Sequence, residues 1–137
     1  MAVSLFAYAA QAQSRDGHKV AVHVDDADPA RMSMALGNVR NIEKHYKSVG
    51  ETVTIEIVAN SGGVTMMRAA RSSVADTIKQ MQADLRDLNL SVCWNTIDGL
   101  VAKEGRQPPL LPGVTVVPSG VVRLMELQEQ GCSFIRP

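Results

Sequence analysis

The chain has 137 residues, enough for one domain with a single good core, and 45% of them are apolar, so it is neither disordered nor membrane-spanning. Lys plus Arg and Asp plus Glu number 14 each, which leaves no basic field to attract nucleic acid, and aromatic residues are few. The two cysteines lie far apart and His18, His23 and His45 share no ligand spacing, so neither structural zinc nor an iron–sulfur cluster is supported and no cofactor is expected.

Residues 1–18 read as a tail. Ala2 to Ala10 is a short apolar run followed by Ala10-Gln11-Ala12, the form of a signal peptide's apolar region and small-x-small cleavage site, although no basic segment precedes it. It is too short to span a membrane. The expectation is the remnant of an export signal and a periplasmic protein; a loose tail or short extra helix on a cytoplasmic protein is the alternative. Gln13 to Lys19 is polar, carries Gly17, and reads as a linker into a single domain over 19–137.

Val20 to Val24 is a strand whose nearly continuous apolar character suits a parallel sheet. Asp28 as N-cap with Pro29 at the first helical position then starts a helix. Met32, Ala35, Leu36, Val39, Ile42 and Tyr46 continue it at helical spacing, and Gly50 ends the turn beyond. Val53 to Val58 is a second, β-branched strand. Asn60-Ser61-Gly62-Gly63 forms the loop at its carboxyl end, and Val64 to about Ala70 a short helix. A further helix is expected from Ser73 to Leu88, with Val74, Ile78, Met81, Leu85 and Leu88 on one stripe, Ser72 or Ser73 capping it and Asp76 near its positive end. Leu88 to Cys93 is the third strand, with a helix opening at Asn95 or Thr96. Ile97, Leu100 and Val101 imply a helical turn or two, broken by Gly105 and Pro108-Pro109. Val114 to Val117 is the fourth strand, Pro118-Ser119-Gly120 introduces a helix to Gln130 with Gly131 as its C′ residue, and Cys132 to Ile135 is a short last strand. Five apolar strands with helical crossovers imply an α/β fold: a three-layer α/β/α domain around a mostly parallel five-stranded sheet.

In such a sheet the strand carboxyl ends share one edge, where ligands bind. That edge collects Asp25 and Asp26, the 60–63 loop, Cys93-Trp94-Asn95 and Pro118-Ser119-Gly120. A thiol there, among glycine-rich loops and helix amino ends, meets backbone N–H groups that favour its anion. The ordinary alternative is a cysteine that fills the core. Without a neighbouring Lys or Arg in sequence, a helix terminus worth about 0.3–1 kcal/mol lowers the pKa by less than one unit. Lys103 or Arg106 folding over from the Pro-rich loop would add to this, and burial against Trp94 would oppose it. Cys132 falls near the amino end of the last strand, on the order of 15 Å away at ~3.3 Å per residue, beyond disulfide reach, and has a structural role.

Other candidates are weaker. Asp25, Asp26 and Asp28 read more simply as a cap and two solvated acids than as a metal site. His23 lies near the first loop and is either a hydrogen-bonded core residue or part of the pocket. Asn38 and Asn41 are i, i+3 neighbours that face the cleft or the solvent. The Gly62-Gly63 loop has neither a P-loop Lys nor G-x-G-x-x-G, and the acidic loop after the first strand would repel a flavin phosphate.

Several segments together resemble the DsrE/DsrF-like sulfur-relay family: Val22-His23-Val24-Asp25-Asp26-Ala27-Asp28-Pro29, Ala35 to Asn41, Val92-Cys93-Trp94-Asn95-Thr96, Leu111-Pro112-Gly113-Val114 with Val117-Pro118-Ser119-Gly120-Val121-Val122, and Leu127 to Pro137. The resemblance covers roughly Lys19 to Pro137. It implies a three-layer domain, frequent homo- or hetero-oligomers, and sulfur carried as a persulfide on the cysteine after the third strand, which is Cys93 here. Asn95 and Thr96 match the positions that follow that cysteine, whereas Trp94 and Cys132 look like local choices.

The leading expectation is a sulfur carrier or sulfurtransferase-like protein. Cys93 takes sulfane sulfur from a donor and passes it to a partner thiol, with Asn60, Ser61, Gly62, Gly63, Asn95, Thr96, Ser119 and Gly120 around the ligand and His23, Asp25, Asn38, Asn41 and Trp94 as possible pocket residues. A homo-oligomer is expected, with sulfur donors and acceptors as partners and neither nucleic acid nor membrane. The alternative is a non-catalytic small-ligand-binding or assembly module of the same fold. A thiol-redox enzyme is disfavoured because no resolving cysteine lies within reach.

Overall fold

The computed structural model describes residues 17–137; the export-signal expectation for residues 1–12 lies outside them. The described elements are β1 (His18–Val24), α1 (Pro29–Ser48), β2 (Val53–Ala59), a 3-10 segment (Ser61–Met67), α2 (Ala75–Asp84), β3 (Leu88–Cys93), α3 (Trp94–Glu104), β4 (Val114–Val117), α4 (Gly120–Glu129) and β5 (Ser133–Ile135). The strands form one all-parallel sheet in the order β4-β3-β2-β1-β5, so the α/β architecture read from the alternation of strands and helices is the one observed.

Side-chain alternation divides the sheet into two unlike faces. On one, Val20, Val22, Val24, Ile55, Ile57, Leu90 and Val92 meet Met32, Leu36 and Val39 of α1, Ile78 and Met81 of α2, Ile97 of α3, and Val64, Met66 and Met67 of the 3-10 segment. At about 1.5–3 kcal/mol for each fully buried large side chain, this layer holds the fold together. The other face is covered by α4 alone among the described helices: Leu124 and Leu127 pack on Ala21 and Val58, with Cys132 beside them. Glu56 and Ser91 are buried and polar on that face. Glu56 is held by a two-pronged ion pair with Arg123 of α4, Nε donating to Oε2 at 2.7 Å and Nη2 to Oε1 at 3.1 Å. The pair pins α4 across β2, and nothing in the local sequence points to it.

Several expected boundaries move, each for a local reason. β1 starts at His18, since the His18 N–H donates to Thr52 O at 2.9 Å and draws the expected linker residue Lys19 into the sheet. The loop and helix expected over 60–70 are a 3-10 segment over 61–67, because the Gly63 N–H already donates to Asn60 O at 2.9 Å. α2 stops at Asp84: Leu85 is extended, and Leu88 pairs with Ile55 in the sheet although it continues the apolar stripe. Ser72 is not its cap; the N-cap is Val74, without a side-chain hydrogen bond. α3 begins at Trp94, one residue earlier than expected, and runs eleven residues to Glu104 with Gly105 as its cap, not a turn or two. Asp28 does cap α1, accepting from Ala30 N–H, and Ser119 caps α4. Burial on both sides holds for the middle strands β1, β2 and β3, whereas the flanking β4 and β5 are partly exposed.

Candidate functional site

Parallel register sets the site. β2 and β3 pair Ala59 with Val92, so one step further Asn60 stands level with Cys93, which itself pairs with Val117 of β4. His23 of β1 pairs with Val58, just below Asn60. By alternation His23, Asn60 and Cys93 point to the α4 side of the sheet, in that order across three adjacent strands. His23 Nε2 lies 2.9 Å from Asn60 Oδ1.

Cys93 ends β3 and is the N-cap residue of α3, with the extended φ of −75° and ψ of 121° that caps require. It is buried, at 6% exposure, and is a free thiol. The start of α4 closes over it. A methyl group at Gly120 would stand 3.1 Å from Cys93 Cβ and 3.0 Å from Asn60 Cβ, so only glycine lets the Gly120 amide come this near the sulfur. The sulfur forms no regular capping hydrogen bond. Burial raises its pKa, but the Gly120, Thr96 and Asn95 N–H groups and the Thr96 hydroxyl outweigh it and hold the thiol below its ordinary value. The Thr96 hydroxyl oxygen accepts from Ser61 N–H at 2.9 Å, which leaves its own hydrogen free to turn to the sulfur. Ser61 is the one described non-glycine residue at positive φ, +48°.

These donors revise the cause expected for the lowered pKa. A helix terminus acting as a dipole is worth about 0.3–1 kcal/mol, a hydrogen bond to a charged group about 1.5–3 kcal/mol, so individual donors dominate. Lys103 and Arg106 are not among the causes: Lys103 is nine residues along α3 from Trp94, ~14 Å at ~1.5 Å per residue.

Of the residues singled out in the sequence, the fold gathers Cys93, Asn60, Ser61, Asn95, Thr96, Gly120 and His23. Ser119 sits at the same corner with its hydroxyl turned to Val122 N–H as a cap, 3.5 Å away. Trp94 is the first residue of α3 and is 37% exposed. Gly62 and Gly63 do not cradle Cys93. A methyl group on Gly63 would stand 1.9 Å from Val24 O and one on Gly62 2.9 Å from Ala27 N, so both pack on the loop after β1. Asn38 and Asn41 are not brought in either; Asn38 is nine residues down α1, ~14 Å from its start. Asp25 is bound by Arg136, with Nη2 at 2.8 Å and Nε at 3.3 Å. Burial raises the Asp25 pKa, and the Arg136 hydrogen bond and charge outweigh it to leave the carboxyl below its usual range. Arg31 in the first turn of α1 donates to Pro137 O at 3.0 Å, so Arg136 and Pro137 tie down the loop after β1 and the start of α1. Among the described residues no three His, Cys, Asp or Glu side chains converge to hold a metal. Clefts of about 280 and 410 Å³ open at the amino edge of the sheet, lined by residues such as Lys47 and Asp87, and Tyr46 and Gln130; neither includes Cys93.

The protein of unknown function MTH1491 from Methanobacterium thermoautotrophicum is 30% identical and superposes with a TM-score of 0.75, over 88% of this chain and 99% of that one. The chain belongs to the family of MTH1491. The ychN protein from E. coli, 12% identical, matches with a TM-score of 0.66 over 88% of this chain and 99% of its own, a likeness of fold. No family model and no curated protein matches the chain.

Proposed function

We propose that the protein is a sulfur carrier, a sulfurtransferase-like protein that holds sulfane sulfur as a persulfide on Cys93 and delivers it to a partner thiol. The observation that carries this reading is the free Cys93 thiol at the carboxyl edge with its pKa lowered by the Gly120, Thr96 and Asn95 amides and the Thr96 hydroxyl. The chemistry then needs no metal and no separate base. The Cys93 thiolate attacks the outer sulfur of a donor persulfide. Its lone pair forms the new S–S bond as the donor's S–S bond breaks, the donor leaves as a thiolate, and the outer sulfur keeps its proton. An acceptor thiolate repeats the step and releases Cys93 as thiolate, with no net oxidation. A thiolate that is both nucleophile and leaving group benefits from a lowered pKa in the second role and from partial ionisation near neutrality in the first. The resemblance to the DsrE/DsrF-like family supports the same assignment.

A second reading, a non-catalytic assembly module, is favoured by one observation: Val121, Val122 and Met125 on α4 and Phe134 on β5 are all about half exposed on the side of the sheet that, among the described helices, α4 alone covers. Self-association through such a surface is compatible with sulfur carriage and is tested by light scattering at micromolar concentration; a monomer there removes the assembly reading. The carrier reading is tested by intact-protein mass after incubation with polysulfide or thiosulfate. It requires a gain of one sulfur, reversed by a small thiol and absent from Cys93→Ala. A wild-type protein that gains none overturns it.

A further inference from the structure

We infer that Glu56 and Arg123 are positioning residues for the Cys93 thiol: their ion pair seats the first turn of α4, and with it the Gly120 N–H, against the sulfur. The inference deepens the carrier reading, since it takes Cys93 as the working thiol.

The inward stripe of α4 is Gly120, Arg123, Leu124 and Leu127, spaced as one face of a helix requires. Leu124 and Leu127 are the apolar anchors, and both lie beyond the first turn. Within that turn Val121 and Val122 are half exposed and Gly120 has no side chain, so Arg123 is the side chain that fastens it to the sheet. It does so through Glu56, buried on β2, with Nε donating to Oε2 at 2.7 Å and Nη2 to Oε1 at 3.1 Å. Two N–H bonds from one planar fork to one carboxylate fix direction as well as distance. The Arg123 N–H donates to Ser119 O at 2.9 Å, and Gly120 stands three residues before Arg123, ~4.5 Å along the helix at ~1.5 Å per residue. A displacement of Arg123 is therefore carried to Gly120. A methyl group there would stand 3.1 Å from Cys93 Cβ and 3.0 Å from Asn60 Cβ, so the Gly120 backbone lies directly on the thiol, and stays there only while the turn is held down.

Charge acting through space is not the route. Burial raises the Cys93 pKa, and what lowers it is a set of N–H groups and a hydroxyl, with no charged side chain among them. Glu56 pairs with Asn89 in the sheet, whereas Asn60, level with Cys93, is four residues further along β2, ~13 Å at ~3.3 Å per residue. The charges about the pair are Glu126 of α4, 3.5 Å from Arg123 Nη1, and Lys19 on the same sheet face of β1. From β3 the neighbours are Asn89 and Ser91, both neutral.

The test is the pH dependence of iodoacetamide alkylation, with Cys93 and Cys132 followed separately by peptide mass spectrometry. Two variants remove opposite charges. Glu56→Gln and Arg123→Gln are both expected to raise the Cys93 midpoint by about half a pH unit, about threefold less thiolate at neutrality, because both loosen the same turn. A through-space effect would instead lower it in Glu56→Gln and raise it in Arg123→Gln. Cys132 gauges that effect: burial is the main cause of its raised pKa, Lys19 and Arg123 oppose and Glu56 adds, so its midpoint should fall in Glu56→Gln while that of Cys93 rises. A Cys93 midpoint that falls or stays at the wild-type value in either variant overturns the proposal. Arg123→Gln leaves Glu56 buried without its partner. If that chain does not fold, Arg123→Lys, which keeps the charge and loses the fork, is read in its place and should raise the Cys93 midpoint by a smaller step; an unmoved midpoint there overturns the proposal as well. Sulfur uptake is measured separately on the wild type: midpoints that move as stated in a protein that takes up no sulfur would sink the carrier reading and leave this one standing.

Discussion

Cys93 and Cys132 are the same side chain at opposite edges of one sheet, and the fold gives them opposite chemistry. Cys93 ends a strand and begins a helix, where backbone N–H groups are left unbonded and gather about the sulfur. Cys132 ends a helix. Gly131, at φ of +92°, lets its own N–H donate to Gln128 O and the Cys132 N–H to Leu127 O, and the Cys132 side chain packs with Leu124 and Leu127. Among the described residues no donor faces that sulfur. Burial raises its pKa, and Lys19, Glu56 and Arg123, the charges that reach it, do not reverse the direction. Position along the chain relative to a helix end, more than depth, decides which thiol has the lowered pKa: Cys93 is the more buried of the two.

The largest expected contrast is in sulfur uptake. Cys93→Ala should abolish the gain of a sulfur atom, and Cys132→Ala should leave its amount within about a factor of two of wild type, as its role is packing. A persulfide found on Cys132 instead would invert the comparison. The pH profile of alkylation then orders the two thiols, with the Cys93 midpoint below that of Cys132. Coincident midpoints would mean that the donors about Cys93 do nothing for its anion.

Gly120→Ala sharpens the same contrast from the other side. Its methyl group stands 3.0 Å from Asn60 Cβ and 3.1 Å from Cys93 Cβ, tighter than side chains accept, so α4 must retreat and take its N–H from the sulfur. A loss of ~1–3 kcal/mol in urea unfolding is expected, with a higher Cys93 midpoint. Unchanged reactivity at lowered stability would show that the Gly120 amide serves packing alone. Gly131→Ala is the control at the Cys132 edge: a residue with a side chain held at φ of +92° should cost ~1 kcal/mol and leave Cys93 alkylation as it was.

What the sequence shows of this arrangement is local. Asp28-Pro29, Ser119-Gly120 and Gly131 are punctuation that a helix needs at its own ends, and each sits where its type predicts. The carboxyl-edge position of Cys93 follows from strand–helix alternation in the same way. What could not be read are partners brought together by the sheet. His23 and Asn60 are 37 residues apart, Glu56 and Arg123 67, and Asp25 and Arg136 111. Neither residue of such a pair carries a signal of the other. Gly62 and Gly63 mislead for a related reason: glycine marks a close approach, but only the fold tells that the approach is to the loop after β1 and not to Cys93. Asn38 and Asn41 share a side of α1, yet a shared side says nothing of distance along the helix.

The smallest effect concerns the clasp beside the site. Arg136 holds the Asp25 carboxyl below its usual pKa against the burial that raises it. A depressed carboxyl contributes stability that is fully present above its unfolded value of about 3.9 and is lost as pH falls through the lower folded value. The two side chains are 31% and 56% exposed, so solvent screening limits the pair to ~1 kcal/mol or less, and salt weakens it further. Arg136→Gln should therefore lower stability slightly at pH 7 and not at all once the pH lies below the depressed folded value, where wild type and variant both carry a protonated Asp25. The two unfolding curves should converge as the pH falls. The Cys93 edge titrates in another range, so its alkylation midpoint should not move in this variant. A shift there would mean that the carboxyl-terminal clasp reaches the thiol along the shared carboxyl edge through Phe134 and His23, whose rings pack together.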